Sequence, residues 1–243
     1  MKKLLLLLAA GAALAGCKDT TYLEPADAGT GYFPAAVGQF RTYQVIDTTW
    51  LNYSYTVRRY QARERLTGTY PDAAGQPVFR VELARRAAPA DAWVPDSVFS
   101  LSADARRVVY SRGNRRRVEL VFPLREAAAW NQNAYANTTR DTVTAETRRY
   151  VPGTNGQPFT TPALPGLPAR RFAQTLTTAS YGPADIDDNC SRLRSTQVFA
   201  LGIGPVYRRA VSFIFQDGGS ICDPQRGPFN GSSHTEILLE SGP

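Results

Sequence analysis

Apolar and polar positions alternate along most of the chain. Leu51, Tyr53, Tyr55 and Val57 alternate with Asn52, Ser54, Thr56 and Arg58, a period of two that predicts a half-buried strand. Phe40 to Ile46 reads the same way. Further strand-like runs are Val78–Leu83, Val98–Leu101, Val108–Tyr110, Val118–Phe122, Thr142–Tyr150, Phe172–Tyr181, Thr196–Leu201, Val206–Phe215 and Thr235–Leu239. They are rich in Val, Thr, Tyr and Phe, which fit a pleated surface. Turn clusters such as Pro71-Asp72-Ala73-Ala74-Gly75, Gly113-Asn114 and Pro152-Gly153-Thr154-Asn155-Gly156 separate them. The expectation is an all-β protein: one antiparallel β domain, built as an open barrel or half-barrel, or sandwich-like. Helix is scarce. Arg125 to Trp130 reads as a single turn, and the Ala-rich stretch Ala84–Ala92 is interrupted by Pro89. Pro162 to Pro168 is too proline-dense for strand or helix and reads as an extended surface connection.

Arginine doublets constrain how dry the sheet is. Arg58-Arg59, Arg85-Arg86, Arg106-Arg107, Arg148-Arg149, Arg170-Arg171 and Arg208-Arg209 are adjacent pairs. Neighbours on a strand point to opposite faces, so one member of each faces inward wherever the sheet has an inner side. An unpaired guanidinium cannot be buried there. Two readings follow: strand ends solvated beside acidic partners, or a broad open sheet with both faces partly wet.

The first 17 residues break the alternation. Met1-Lys2-Lys3 is followed by an apolar stretch that no polar residue interrupts before Cys17. That charge-then-hydrophobe layout is the layout of an export signal. The stretch is too short to span a bilayer, which needs about 20 residues. Its last four residues, Leu14-Ala15-Gly16-Cys17, resemble the lipobox of bacterial lipoproteins. The resemblance implies a signal peptide over 1–16, cleavage before Cys17, a diacylglyceryl group on its thiol and an acyl chain, such as palmitate, on the new amine. Residues 17–31 then form the lipidated cysteine and a polar tether, and 32–243 the exported β-rich domain. One acyl chain holds a protein marginally, at roughly 0.8 kcal/mol per buried CH₂, and two or more hold it stably.

Composition changes the picture little. Without Lys2 and Lys3, the 28 basic residues fall to 26 against 21 acidic ones. After the leader Lys18 is the only lysine. This mild basic balance, in an exported protein, argues against a nucleic-acid partner. Cys190 and Cys222 are the two cysteines left unlipidated. They lie 32 positions apart in Asp/Asn/Gly/Pro-rich surroundings. An exported domain permits one pairing, worth roughly 3–4 kcal/mol by loop closure; two free buried thiols are the alternative.

Short motifs at the start, middle and end of the folded part resemble lipoproteins of Bacteroidota to which no activity is assigned. They are Tyr32-Phe33-Pro34 with Gly38 and Tyr43, then Phe122-Pro123 with Trp130, Asn131, Asn133 and Tyr135, and Gly202, Gly204, Val206, Tyr207 and Arg208. The chain departs from the pattern at Phe40, where the relatives have tryptophan, and at Ala128, where they have glycine. Phe40 and Trp130 read as apolar plugs for the open end of the sheet. With Tyr53 and Tyr55 they are also the aromatics that would line a ligand groove. In those lipoproteins lysine and acids after the lipidated cysteine favour display on the outer face of the outer membrane; Lys18-Asp19 is only a short match, so the resemblance implies the outer membrane and leaves its periplasmic or surface face undecided.

Catalytic chemistry finds little support. His234 is the only histidine, and a Ser-His-Asp or Cys-His site would have to use it. Ser232 and Ser233 precede it, but no G-x-S-x-G elbow occurs. Glu119, Asp141 and Glu146 are carboxylates on strand-like runs, and spacing does not show whether two converge. Asp185, Asp187 and Asn189 begin like a calcium loop, but Cys190 and Thr196 stand where its glycine and glutamate belong. Gly202-Ile203-Gly204 lacks the rest of a dinucleotide fingerprint, and no cofactor is expected. The sequence therefore predicts a non-catalytic, membrane-anchored lipoprotein that binds an envelope protein, glycan or lipid or serves a structural role. A lipid carrier with a dry concave face of Leu51, Tyr53, Tyr55 and Val57 is one alternative, and an envelope hydrolase another.

Overall fold

The structure, a computed structural model, describes residues 28–136, 146–180, 190–216 and 222–243. They form β1 (Phe40–Leu51), β2 (Ser54–Pro71), β3 (Pro77–Arg86), β4 (Val94–Ala103), β5 (Arg107–Arg112), β6 (Arg115–Val121), β7 (Ala129–Asn131), β8 (Thr147–Tyr150), β9 (Gln157–Thr160), β10 (Arg171–Ser180), β11 (Ser191–Ala200), β12 (Gly204–Ile214) and β13 (Asn230–Gly242). One antiparallel sheet runs β6-β5-β4-β3-β2-β1-β13-β12-β11-β10-β8-β7, with β9 beside β10. The sheet curls until its two ends meet. The Val118 amide of β6 donates to the Gln132 carbonyl just beyond β7 at 2.9 Å, and the Trp130 indole donates to the Val118 carbonyl at 2.9 Å. The Tyr150 hydroxyl joins the backbone of Val121. The result is a nearly closed barrel. Of the expected architectures, the barrel is correct and the sandwich is not.

Alternation places the core inside. Tyr43 and Val45 of β1, Leu66 of β2, Val81 of β3, Leu101 of β4, Leu120 of β6 and Leu176 of β10 are all nearly fully buried and belong to one cluster. Arg63, Arg65, Arg80 and Glu82 alternate with inward residues and lie outside. Apolar inside and charged outside is the reverse of a membrane-spanning barrel.

A short 3-10 turn at Thr30–Tyr32 and the residues after it seal one end of the barrel. Phe33, 4% exposed, packs on Tyr110 and Phe199 at centroid distances of 6.1 and 6.3 Å. Backbone bonds from Leu124 to Ala28 and from Gly202 to Gly31 fasten the segment. The folded part therefore takes in Ala28–Gly31, earlier than the predicted start at Tyr32. The guanidinium of Arg41 is buried here. It donates to the carbonyls of Ile203 and Pro34, each at 2.8 Å, and lies over the Phe33 ring. Gly204 explains part of the late glycine motif. Its φ is +99°, and a Cβ there would fall 2.8 Å from Arg41 Nε.

Several local expectations are corrected. Leu51–Arg58 is not one strand. Asn52 and Tyr53 both have positive φ, 51° and 65°, which makes the two-residue primed turn that matches strand twist. β1 therefore ends and β2 begins within that run. Arg125–Trp130 is not helical: a turn at 126–127 leads into β7. Pro162–Pro168 is not extended but doubles back at Pro165-Gly166, with Leu164 and Leu167 exchanging backbone bonds at 2.9 Å.

Candidate functional site

The barrel interior changes character along its axis. Toward the sealed end it is apolar apart from the Arg41 guanidinium. Toward the other end the same inward positions carry charge. Arg58 and Asp47 face one another across β1 and β2, while Arg85 of β3, Arg208 of β12 and Glu236 of β13 line a cavity of about 260 Å³. Tyr60, Ala62, Leu83 and Phe99 form its apolar wall.

Arg208 is the centre of this region. Its Nη1 donates to Glu236 Oε2 at 2.7 Å and to Glu64 Oε1 at 3.2 Å, and its Nη2 to the Tyr110 hydroxyl at 3.4 Å. The guanidinium also lies 5.2 Å over the Tyr43 ring. Burial works against its charge, but Glu64 and the other surrounding groups raise its pKa well above the usual arginine value. Burial would likewise raise Glu236; Arg208 and His234 overcome that and hold its carboxyl at about 2. Burial lifts Tyr43 and Tyr110 well above the ordinary phenol range, and Tyr60 to about 12. These phenols stay neutral at ordinary pH, and Arg208 and Glu236 stay charged.

His234 stands beside the cluster with a carboxylate on each ring nitrogen. Nδ1 lies 2.5 Å from Asp47 Oδ1, and Nε2 lies 3.0 Å from Glu236 Oε1. Two acceptors favour the ring with two N–H groups. The hydrogen bond to Glu236, and after it the other carboxylate contacts, raises its pKa despite burial. With both nitrogens engaged by acids, neither is offered to Ser232 or Ser233.

The seam between β6 and β7 holds a second polar group. A register shift between Val108 and Val109 leaves Glu119 as an extra residue on β6, and such a bulge re-aims a side chain. Glu119 lines the cavity, and its Oε1 accepts from Gln132 Nε2 at 3.3 Å. Arg148 of β8, 1% exposed, donates to Thr178 Oγ1 and Ser195 Oγ, each at 2.9 Å. Its burial lowers its pKa. Glu146 accepts from Ser180 and from Arg117 at 2.7 and 3.1 Å, so Glu119 and Glu146 have separate partners.

The doublets resolve into both readings. Arg85, Arg148 and Arg208 point inward: Arg85 meets Asp96 at 3.1 Å and Arg208 meets Glu64 and Glu236, while Arg148 is held by the hydroxyls of Thr178 and Ser195. Their neighbours Arg86, Arg149 and Arg209 point outward. Arg58-Arg59 and Arg106-Arg107 are exposed near strand ends. The lumen of a barrel, not an open sheet, supplies the wet inner face.

The aromatics singled out from the sequence do not meet. Phe40 rests against Gly242 on the outer side of β1 and plugs nothing; Phe33 takes that place. Tyr53 packs on Phe229 and under Arg226 at the β1–β2 turn. Tyr55 is 66% exposed and touches Trp50. Trp130 seals the seam against Tyr150 at 4.9 Å. The carrier's dry face is absent: Leu51 and Val57 are 66% and 38% exposed, because β1 and β2 project there beyond the barrel. Cys190 and Cys222 form a disulfide with Cα atoms 4.8 Å apart. Cys17, Asp185, Asp187, Asn189 and Asp141 lie outside the described residues. Glu64 and Glu236 went unnoticed in the sequence. The one usable signal is an inward doublet member such as Arg208, which calls for acids from elsewhere in the chain.

No family model matches the chain, and no curated protein matches it. Among solved structures, it is similar to a candidate lipoprotein from Parabacteroides distasonis ATCC 8503. The two share 11% identity over 87% of this chain and 98% of the other, with a TM-score of 0.28, too loose a superposition to carry an argument about function.

Proposed function

We propose that this protein is a lipid-anchored lipoprotein of the bacterial cell envelope, held in the outer membrane, whose barrel is a non-catalytic binding module. The observation that carries the reading is Leu14-Ala15-Gly16-Cys17 closing an uninterrupted apolar leader, ahead of a barrel whose outer face is charged. Such a leader is removed rather than retained, and the barrel's surface is made for water. Acyl chains on Cys17 are then the attachment to the membrane. The non-catalytic part is supported by His234. A ring whose two nitrogens both face carboxylates, Asp47 and Glu236, has a raised pKa and turns neither nitrogen toward a hydroxyl nucleophile. The ion cluster likewise opposes a lumen for an acyl chain, which would have to strip water from charged groups.

The test is the fate of the protein after Cys17→Ser. The natural chain should fractionate with membranes, and mass spectrometry of its N-terminus should find an acylated cysteine at position 17. The variant should move to the soluble fraction. Retention of the variant in membranes, or an unmodified Cys17, would remove the anchor from this account.

A further inference from the structure

We infer that the mouth half of the lumen binds a small organic anion, a carboxylate on a short apolar body, through Arg85 and Arg112. The inference deepens the binding-module reading above and rests on it for its purpose, though not for its chemistry. Both arginines line the cavity of about 260 Å³, and both reach water: the Arg85 side chain is 40% exposed and Arg112 is exposed. Arg112 continues the inward series Val108, Tyr110 along β5 and lies 4.3 Å over the Phe99 ring. Arg85 lies 5.2 Å over the Tyr60 ring and meets Asp96 at Nε. Stacking occupies the face of a guanidinium and leaves the N–H donors in its plane to other partners. Among the described residues, nothing accepts a hydrogen bond from Arg112 or from the terminal nitrogens of Arg85.

Charge selects the ligand. Three glutamates line the cavity. Glu64 and Glu236 are bound to Arg208, and Glu119 accepts from Gln132. Arg117, which also lines it, has Glu146. Arg112 is left with no acid among the described residues. A guanidinium takes a carboxylate through two parallel charge-assisted bonds, which are stronger than bonds to a neutral oxygen. A cation would instead meet four lining guanidinium groups, while the lining carboxylates are engaged. Tyr60 and Phe99, on which the two arginines stack, belong with Ala62 and Leu83 to the apolar wall. The body that carries the carboxylate buries against that wall, the division of apolar surface and few polar contacts usual in small-molecule sites. The cavity falls just below the range of about 300–1,000 Å³ that takes drug-sized ligands, which limits that body to about one ring.

The experiment uses the full lipidated protein in an uncharged detergent. Saturation-transfer NMR and calorimetry are run with phenylacetate, with its neutral amide and with phenethylamine, and with inorganic phosphate as a competitor. Phenylacetate should bind, and the amide and the amine at least tenfold more weakly. Arg112→Gln, which removes no hydrogen bond within the protein, should weaken phenylacetate tenfold or more and leave the melting temperature within a few degrees of the natural chain. Arg85→Gln should weaken binding as much, and so should Ala62→Leu, which fills the cavity from its apolar wall. No saturation transfer from phenylacetate overturns the inference. So does an amide that binds as tightly as the acid, or binding that Arg112→Gln leaves intact. Displacement by an equal concentration of phosphate overturns it too, because the arginines would then collect any anion. The membrane fractionation of Cys17→Ser is independent of all these outcomes, so the anchor and the ligand stand or fall separately.

Discussion

At the scale of single residues, the barrel tolerates inward charge by pairing every group in the cluster around Arg208. Removing one partner from such a cluster leaves an uncompensated buried ion, at about 3–5 kcal/mol. The pH dependence of stability follows from two members. His234 has a folded pKa above its usual 6.5 because Glu236 and Asp47 accept from it. Its contribution is fully present below 6.5 and is lost as pH rises through the folded value. Glu236 runs the other way. Its folded pKa of about 2 lies below the usual 4.5, so its contribution is present above 4.5 and is lost as pH falls toward 2. Urea midpoints measured across pH should form a plateau between about 4.5 and 6.5 with a decline on each side. His234→Gln should flatten the alkaline decline and leave most of the acid one. A natural chain equally stable at pH 6 and pH 9 would contradict the imidazolium reading. His234 is half-exposed, so the alkaline limb is the shallower one.

At the scale of elements, closure depends on the shortest strand. β7 has three residues, yet it and the residues around it join both ends of the sheet. Trp130 supplies the indole bond to Val118 and packs on Tyr150. Trp130→Ala should cost about 3 kcal/mol, the low end for a core tryptophan because this one is half-buried. Amide exchange at Val118 and Val121 should accelerate, since their bonds cross the seam. Trp93 is half-buried as well, but it lies over Arg63 and Arg86 on the outer face and spans no seam, so Trp93→Ala should cost clearly less, about 1 kcal/mol. Equal losses at the two tryptophans, with Val118 still protected, would mean the barrel closes elsewhere. The long strands were legible because alternation is a local signal. β7 and β9 were not: three or four residues carry no period, and their pairing is set by distant partners. β2 was hidden for another reason. Its inward face runs Tyr60, Ala62, Glu64, Leu66, and an acid in that series breaks the hydrophobic pattern. The site was hidden by the same fact, since Glu64, Arg208 and Glu236 are brought together by register across three strands and not by any spacing along the chain. Cys190 and Cys222 were legible because only two partners were available.

At the scale of the whole molecule, the proposed anchor at Cys17 would set, through chain length, which end of the barrel faces the membrane. Ala28 is bonded to Leu124 at the sealed end. Eleven residue steps separate it from Cys17, which reach at most about 40 Å fully extended and about 20 Å on average if flexible. β1 alone, with its 12 residues, is about 40 Å long at 3.3 Å per residue. An anchor at Cys17 therefore cannot lead the chain past the barrel to its other end without full extension. The sealed end should face the lipid, and the lumen mouth and the projecting β1–β2 turn, with exposed Leu51 and Tyr55, should face away from it, accessible to whatever the module binds. The turns at the two ends report this directly. Ala73, between β2 and β3, lies at the sealed end, and Ala90, between β3 and β4, at the mouth; both are exposed. A fluorophore on Ala73→Cys should be quenched by a quencher placed in the bilayer, and the same fluorophore on Ala90→Cys should not, with the Cys190–Cys222 disulfide left unlabelled. Equal quenching at the two positions would mean that the domain tumbles freely on its tether, and stronger quenching at position 90 that the barrel lies mouth-down. Either result would separate the lumen's orientation from the anchor, because the length of the tether would then no longer decide where the mouth points.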